Sequence, residues 1–193
     1  MEAYLNYIDY YLPEKRITNE MINAEHPEWS ADKISEKTGI YSRPVAANNE
    51  FASDLAMKSA ERLFNNYRID PGSIDFLLYC TQSPDFFLPT TACILQDRLG
   101  IANSSGALDL NLGCSGYVYG LSLAKGLVNT GQASHILFIT SETYSKYIHP
   151  KDKSNKTLFG DGSAASLISP HPEGNIRAKI LDFVYYTDGK GYD

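Results

Sequence analysis

Cys114 has the most reactive setting of the three cysteines in this 193-residue chain. It stands where the strand-like run Ala107-Leu108-Asp109-Leu110-Asn111 passes through Leu112-Gly113 into a helix-like stretch opening at Ser115-Gly116-Tyr117. A cysteine at a helix start faces unpaired backbone N–H groups and the positive end of the helix dipole. Both favour thiolate, the nucleophilic form of the side chain. Gly113 and Gly116 permit a tight turn and let a substrate carbonyl approach the backbone. The competing reading is a small buried hydrophobe, the role of most intracellular cysteines.

A nucleophile of this kind needs a base. The four histidines offer little: His26 precedes Pro27, His149 precedes Pro150, His171 lies between Pro170 and Pro172, and His135 opens an apolar run. They read as loop or surface residues. Ser115 beside Cys114 lacks the G-x-S-x-G spacing of an esterase elbow. Phe159-Gly160-Asp161-Gly162-Ser163-Ala164-Ala165 superficially matches a dinucleotide fingerprint. That motif requires a helix after its glycines, whereas Ser163 to Ser169 is short, β-like and ended by Pro170. A tight turn between elements is the better reading. Lys146, Lys151, Lys153 and Lys156 gather after Glu142, either as a solvated loop or as a basic rim for phosphate groups.

Positioning a thiol at such a junction is the work of a rigid frame. Tyr4 to Tyr11 reads as a strand stopped at Leu12-Pro13, and Thr18 and Ser30 as helix starts. Ser53 to Tyr67 places Leu55, Ala56, Ala60, Leu63 and Phe64 on one helical face. Strands are expected at Ile74 to Cys80, Ala107 to Asn111, His135 to Thr140, Gly162 to Ser169 and Ile176 to Tyr186. Helices are expected at Thr91 to Leu99 and Ser115 to Thr130. Strands alternating with helices make the class α/β, a mainly parallel sheet covered on both faces.

Composition is that of a globular protein, with 43% hydrophobic and 21% charged residues. The net charge of −6 argues against nucleic acid or an anionic membrane as the main partner. No apolar run approaches the roughly 20 residues that span a bilayer, and Met1-Glu2-Ala3-Tyr4 does not open a signal peptide. Cys80, Cys93 and Cys114 form no C-x-x-C pair, so neither a disulfide frame nor a metal site is expected, and the compartment is read as cytoplasmic.

Four segments taken together carry a resemblance: Tyr11-Leu12-Pro13-Glu14 with Thr18-Asn19, Lys37-Thr38-Gly39-Ile40, Asp109 to Gly116, and Phe159-Gly160-Asp161-Gly162. In order and spacing the chain resembles the N-terminal half of β-ketoacyl-acyl-carrier-protein synthase III, a thiolase-fold condensing enzyme. The resemblance implies a five-stranded, mixed and mainly parallel sheet, with residues 1–170 as the thiolase-like domain and 171–193 as the start of a connection to a second half. It implies that Cys114 is the catalytic nucleophile, with its backbone N–H an oxyanion donor. The acyl thioester formed there would condense with a malonyl thioester, releasing carbon dioxide, in fatty-acid or related lipid synthesis. No permanent cofactor is implied; the substrates are acyl-CoA or acyl-ACP, with acyl carrier protein and coenzyme A thioesters as partners and a homodimer as the assembly.

The family's histidine, asparagine and second oxyanion glycine lie in the other half, so this chain alone is expected not to condense. The resemblance implies Lys33, Lys37, Lys153 and Leu88 as substrate-binding residues; aligned on Lys37-Thr38-Gly39-Ile40, Lys33 falls where the family often has a tryptophan that stacks on adenine, with Trp29 four residues earlier. Lys153 falls where an arginine usually packs on the other adenine face, and lysine cannot stack as guanidinium does. Leu88 matches a position whose large side chain enters the partner subunit's acyl pocket. Two other readings keep this fold: acyl transfer to an oxygen or nitrogen acceptor without decarboxylation, and a non-catalytic partner subunit.

Overall fold

The computed structural model describes residues 2–190. In chain order it forms β1 (Tyr4–Tyr11), β2 (Arg16–Thr18), α1 (Asn19–Glu25), α2 (Ala31–Thr38), β3 (Ser42–Pro44), α3 (Ala52–Tyr67) and β4 (Phe76–Cys80). There follow α4 (Thr91–Arg98), β5 (Gly106–Leu110), α5 (Gly116–Asn129), β6 (Ile136–Glu142), α6 (Lys153–Leu158), β7 (Gly162–Ser169) and β8 (Ala178–Lys179). Residues 191–193, the end of the expected connecting segment, lie outside the described residues.

The main sheet has the order β5-β4-β6-β7-β1-β8. β4 pairs in parallel with β5 and β6, whereas β7 runs antiparallel to β6 and β1, and β8 antiparallel to β1. Four strands therefore share one direction. Five of the six are substantial; the sixth, β8, is two residues long. β2 and β3 form a separate small ladder.

Helix ends follow local chemistry. Thr18 and Ser30 accept hydrogen bonds from the Met21 and Lys33 N–H groups, capping α1 and α2 as their sequence promised. Gly39, at φ 69°, closes α2 in the left-handed region. α4 is capped from elsewhere in the fold: the Asp109 carboxylate on β5 accepts from the Thr91 and Ala92 N–H groups at 2.8 and 2.7 Å.

Strand alternation divides the core in two. Leu77 and Tyr79 of β4 with Leu137 and Ile139 of β6 face α3 and α4, meeting Ala56, Ala60, Leu63 and Leu95. Leu78 and Cys80 with Ile136 and Phe138 face α5, meeting Ala124 and Val128. α5 approaches this second face closely because it presents glycines there. A Cβ on Gly120 would lie 2.0 Å from the Phe138 ring, and one on Gly116 would lie 2.3 Å from the Cys80 sulfur.

One expected element is mostly missing. The alternating run Ile176 to Tyr186 forms a strand only at Ala178–Lys179, which pairs with Tyr4 and Leu5. Beyond it no strand lies alongside among the described residues, and Leu181, Val184 and Tyr186 are exposed. Phe183 and Tyr185 instead stack on each other at 6.1 Å, and Tyr185 packs on Tyr119 of α5 at 5.0 Å. Part of the expected lysine loop is α6, whose start is capped by Asp152.

Candidate active site

Parallel strands open a crevice at their carboxyl ends. Here β4 ends in Cys80 and leads to Gln82, β5 leads to Leu112-Gly113-Cys114, and β6 ends in Thr140, Ser141 and Glu142. Cys80, Gln82, Leu112, Cys114, Tyr117, Thr140 and Glu142 all line one cavity of about 480 Å³, together with Tyr144, Phe159 and Gly160.

Cys114 occupies the turn before α5, with Ser115 at the N-cap and Gly116 as the first helical residue. The Gly116 N–H donates to the Gly113 carbonyl at 2.8 Å, which draws the turn tight. Cys114 is exposed, whereas Cys80 beneath it is buried. Cys114 is therefore not the small buried hydrophobe of the competing reading. Burial pushes the Cys80 thiol pKa up, and its S–H donates to the Leu112 carbonyl at 3.3 Å.

Glu142 is the cavity's carboxylate, and both its oxygens are engaged. It accepts from the Gln82 N–H at 2.6 Å and from the Ser83 hydroxyl at 2.7 Å. Burial raises its pKa above the usual carboxylate range, and these hydrogen bonds oppose that rise. Tyr117 is likewise committed: its hydroxyl pairs with Ser166 at 3.1 Å and its ring stacks on Phe138 at 5.3 Å. Tyr144, also in the lining, meets Phe159 edge-on at 5.1 Å.

Asp161, next to the cavity-lining Gly160, organises the adjoining loops. It is buried, and its carboxylate accepts from the Ala46 N–H and from the Ser145 N–H and hydroxyl, at 2.7, 2.8 and 2.6 Å. The Gly160-Asp161-Gly162 segment is the turn expected, tying three loops together before β7.

None of His26, His135, His149 or His171 lines the cavity. Nor do the other sequence-selected residues. Lys33 and Lys37 line a separate pocket of about 200 Å³ with Glu28 and Trp29, where the Lys37 ammonium lies 5.8 Å from the Trp29 ring centre. Lys153 pairs with Glu28 at the edge of that pocket. Leu88 stands out on the loop before α4, 84% exposed. Gln82, Glu142, Tyr117 and Tyr144 were not singled out by sequence reasoning. The strand-end rule identifies the first two once β4 and β6 are recognised as parallel neighbours.

Residues 108–189 match the family model described as 3-Oxoacyl-[acyl-carrier-protein (ACP)] synthase III. The beta-ketoacyl-[acyl-carrier-protein] synthase III of Clostridioides difficile (strain 630) is 39% identical over 186 residues. That alignment covers 95% of this chain and 54% of the relative. A crystal structure of a 3-oxoacyl-(acyl-carrier-protein) synthase III superposes with a TM-score of 0.94 at 51% identity, covering 99% of this chain and 56% of that one. The corresponding enzyme of Pseudomonas aeruginosa PAO1 gives 0.89 at 30% identity, covering 100% and 59%.

Over nearly its whole length the chain is similar to synthase III enzymes. It spans about half the length of the relatives it matches, and its fold is thiolase-like, as the resemblance implied. Among the described residues, no helix is long and apolar enough to cross a membrane.

Proposed function

We propose that Cys114 takes an acyl group from a coenzyme A or carrier-protein thioester and that the acyl-enzyme then condenses with a malonyl thioester, with loss of carbon dioxide. The observation that carries this reading is an exposed thiol in the turn before α5, at the mouth of a mostly apolar cavity, in a synthase III fold. Attack by the Cys114 sulfur forms one C–S bond and breaks another, and the donor leaves as a thiol. The Cys114 N–H stabilises the oxyanion formed on the way.

The described residues place no histidine in the cavity, so the group that activates the extender comes from outside them. This chain alone then acylates without condensing. Residues 1–170 act as the thiolase-like domain, with residue 171 onward as a connection.

Lys33, Lys37 and Lys153 form the donor-binding rim, with Trp29 offering the aromatic face that position 33 lacks. Leu88 serves as an acyl-pocket residue of a partner subunit. The open edge of β5, where Leu108 is 43% exposed, supports a homodimer built edge to edge. The setting is cytoplasmic lipid synthesis with acyl carrier protein as partner, and no resident cofactor takes part.

Intact-mass and peptide analysis after exposure to acyl-CoA or acyl carrier protein tests the reading. An adduct on Cys114 is expected, with no condensed product when malonyl thioester is added. Sustained C–C bond formation by the chain alone would refute the divided site, and absence of any Cys114 adduct would refute the acyl-enzyme.

A further inference from the structure

The polar groups of the Cys114 cavity fall into two sets. Glu142 and Tyr117 are satisfied by protein partners. The Gln82 amide and the Thr140 and Tyr144 hydroxyls line the same cavity and make no side-chain hydrogen bond among the described residues. Gln82 is the best placed of these. Its backbone is clamped to Glu142, with Ser83 held to the same carboxylate and the Thr143 N–H donating to Ser83 at 2.9 Å. From that fixed point its side chain lies over Gly113, the residue before the nucleophile. A Cβ on Gly113 would be 2.8 Å from the Gln82 Oε1.

An apolar pocket with a few anchored polar groups uses those groups for specificity. A primary amide offers both N–H donors and a carbonyl acceptor, so a hydroxyl can pair with either group. An anionic substituent is disfavoured, because Glu142 lines the same cavity. The amide lies by Gly113, next to Cys114, so an acyl group on Cys114 would bring the carbons next to its carbonyl nearest to Gln82.

We propose that Gln82 is a specificity-determining residue that favours acyl groups carrying a neutral hydroxyl near the carbonyl over plain alkyl acyl groups. This rests on the reading of Cys114 as acyl acceptor. The step it biases is the same exchange: the Cys114 thiol gives up its proton, its sulfur bonds the acyl carbon, and the donor departs as a free thiol carrying a proton.

The test compares butyryl and 3-hydroxybutyryl thioesters of N-acetylcysteamine, which differ by one hydroxyl. The rate of adduct formation on Cys114 is followed by intact mass. The hydroxyacyl donor is expected to react about 5- to 10-fold faster, the worth of one net hydrogen bond, and Gln82→Leu to bring the two rates together. Gln82 is exposed to the cavity, so this variant is expected to keep the parent's circular dichroism and unfolding midpoint. Equal rates in the parent, or a faster butyryl donor, would overturn the proposal while leaving the acyl-enzyme intact. A preference that survives Gln82→Leu would remove Gln82 from the role. If neither donor reacts while iodoacetamide still alkylates Cys114, the acyl-enzyme reading fails and takes this proposal with it.

Discussion

The two faces of the main sheet are built to different standards. On the first face, α3 presents Ala52, Leu55, Ala56, Ala60 and Leu63, all fully buried, and α4 adds Ala92 and Leu95. That face is closed by the chain's own helices. On the second face α5 buries Gly116, Gly120, Ala124 and Val128, yet leaves Val118 and Leu123 47% and 42% exposed on its outer side. The segment after β8 partly covers this helix through Tyr185 and leaves Val184 and Tyr186 open. The first face supplies rigidity. The second carries Cys114 at the start of its helix and keeps apolar surface available to a further layer of protein.

The sharpest way to break this comparison is at the thiol. Cys114→Ala is expected to abolish acyl labelling altogether, whereas Cys93→Ala, also exposed but away from the cavity, leaves it unchanged. Mass spectrometry of the two variants decides the matter, and residual labelling of the Cys114→Ala protein would place the chemistry elsewhere. Next in size is packing. Leu63→Ala removes a fully buried side chain from the closed face and is expected to cost about 2–5 kcal/mol. Leu123→Ala, on the outer side of α5, is expected to stay within about 0.5 kcal/mol of the parent. Denaturant unfolding of the isolated chain measures both. Comparable losses would mean that the α5 surface is covered in solution, as in a self-associated form.

The Glu142 carboxyl sharpens the contrast from the other direction, since it is a half-buried titratable group in the cavity that Cys114 also lines. Its pKa is raised above the ordinary 4.5, chiefly by burial. A group whose folded pKa is raised stabilises the fold below its unfolded pKa and loses that contribution as pH rises through the folded value. Parent stability therefore carries a decline from about pH 4.5 upward that Glu142→Gln lacks. Asp9 and Asp54, whose pKa values are lowered, change stability in the opposite sense at lower pH. The difference between variant and parent across a pH series of unfolding curves isolates Glu142. A pH-independent difference would contradict the burial argument.

What the sequence made legible follows from how local each signal is. The Thr18 and Ser30 caps, the buried stripe of α3 and the apolar runs of β4 and β6 depend on neighbours a few residues away, and they could be read directly. Cys114 was legible because its strand, turn and glycines are contiguous. Ile176 to Tyr186 misled because alternation marks a strand only where another strand pairs with it, and β1 offers partners only at Tyr4 and Leu5. The Asp109 cap of α4 and the Glu142 clamp on Gln82 link residues 17 to 60 positions apart. Nothing near either carboxylate announces its target. The cavity wall was invisible for the same reason, since it assembles from the ends of three strands.

The smallest expected effect lies at the rim. Lys153 pairs with Glu28 while 36% of its side chain is exposed, and exposed pairs are screened and worth about 0–1 kcal/mol. Lys153→Ala should accordingly leave the unfolding midpoint almost unmoved. Its consequence belongs to the donor. If the Trp29 pocket receives the nucleotide end of an acyl-CoA, Lys37→Ala and Lys153→Ala should each slow Cys114 acylation from acetyl-CoA severalfold. Neither should affect acylation from the acetyl thioester of N-acetylcysteamine, which has no nucleotide to hold. Equal slowing with both donors would move these lysines into the frame of the active face, and no slowing with either would leave them as solvated surface.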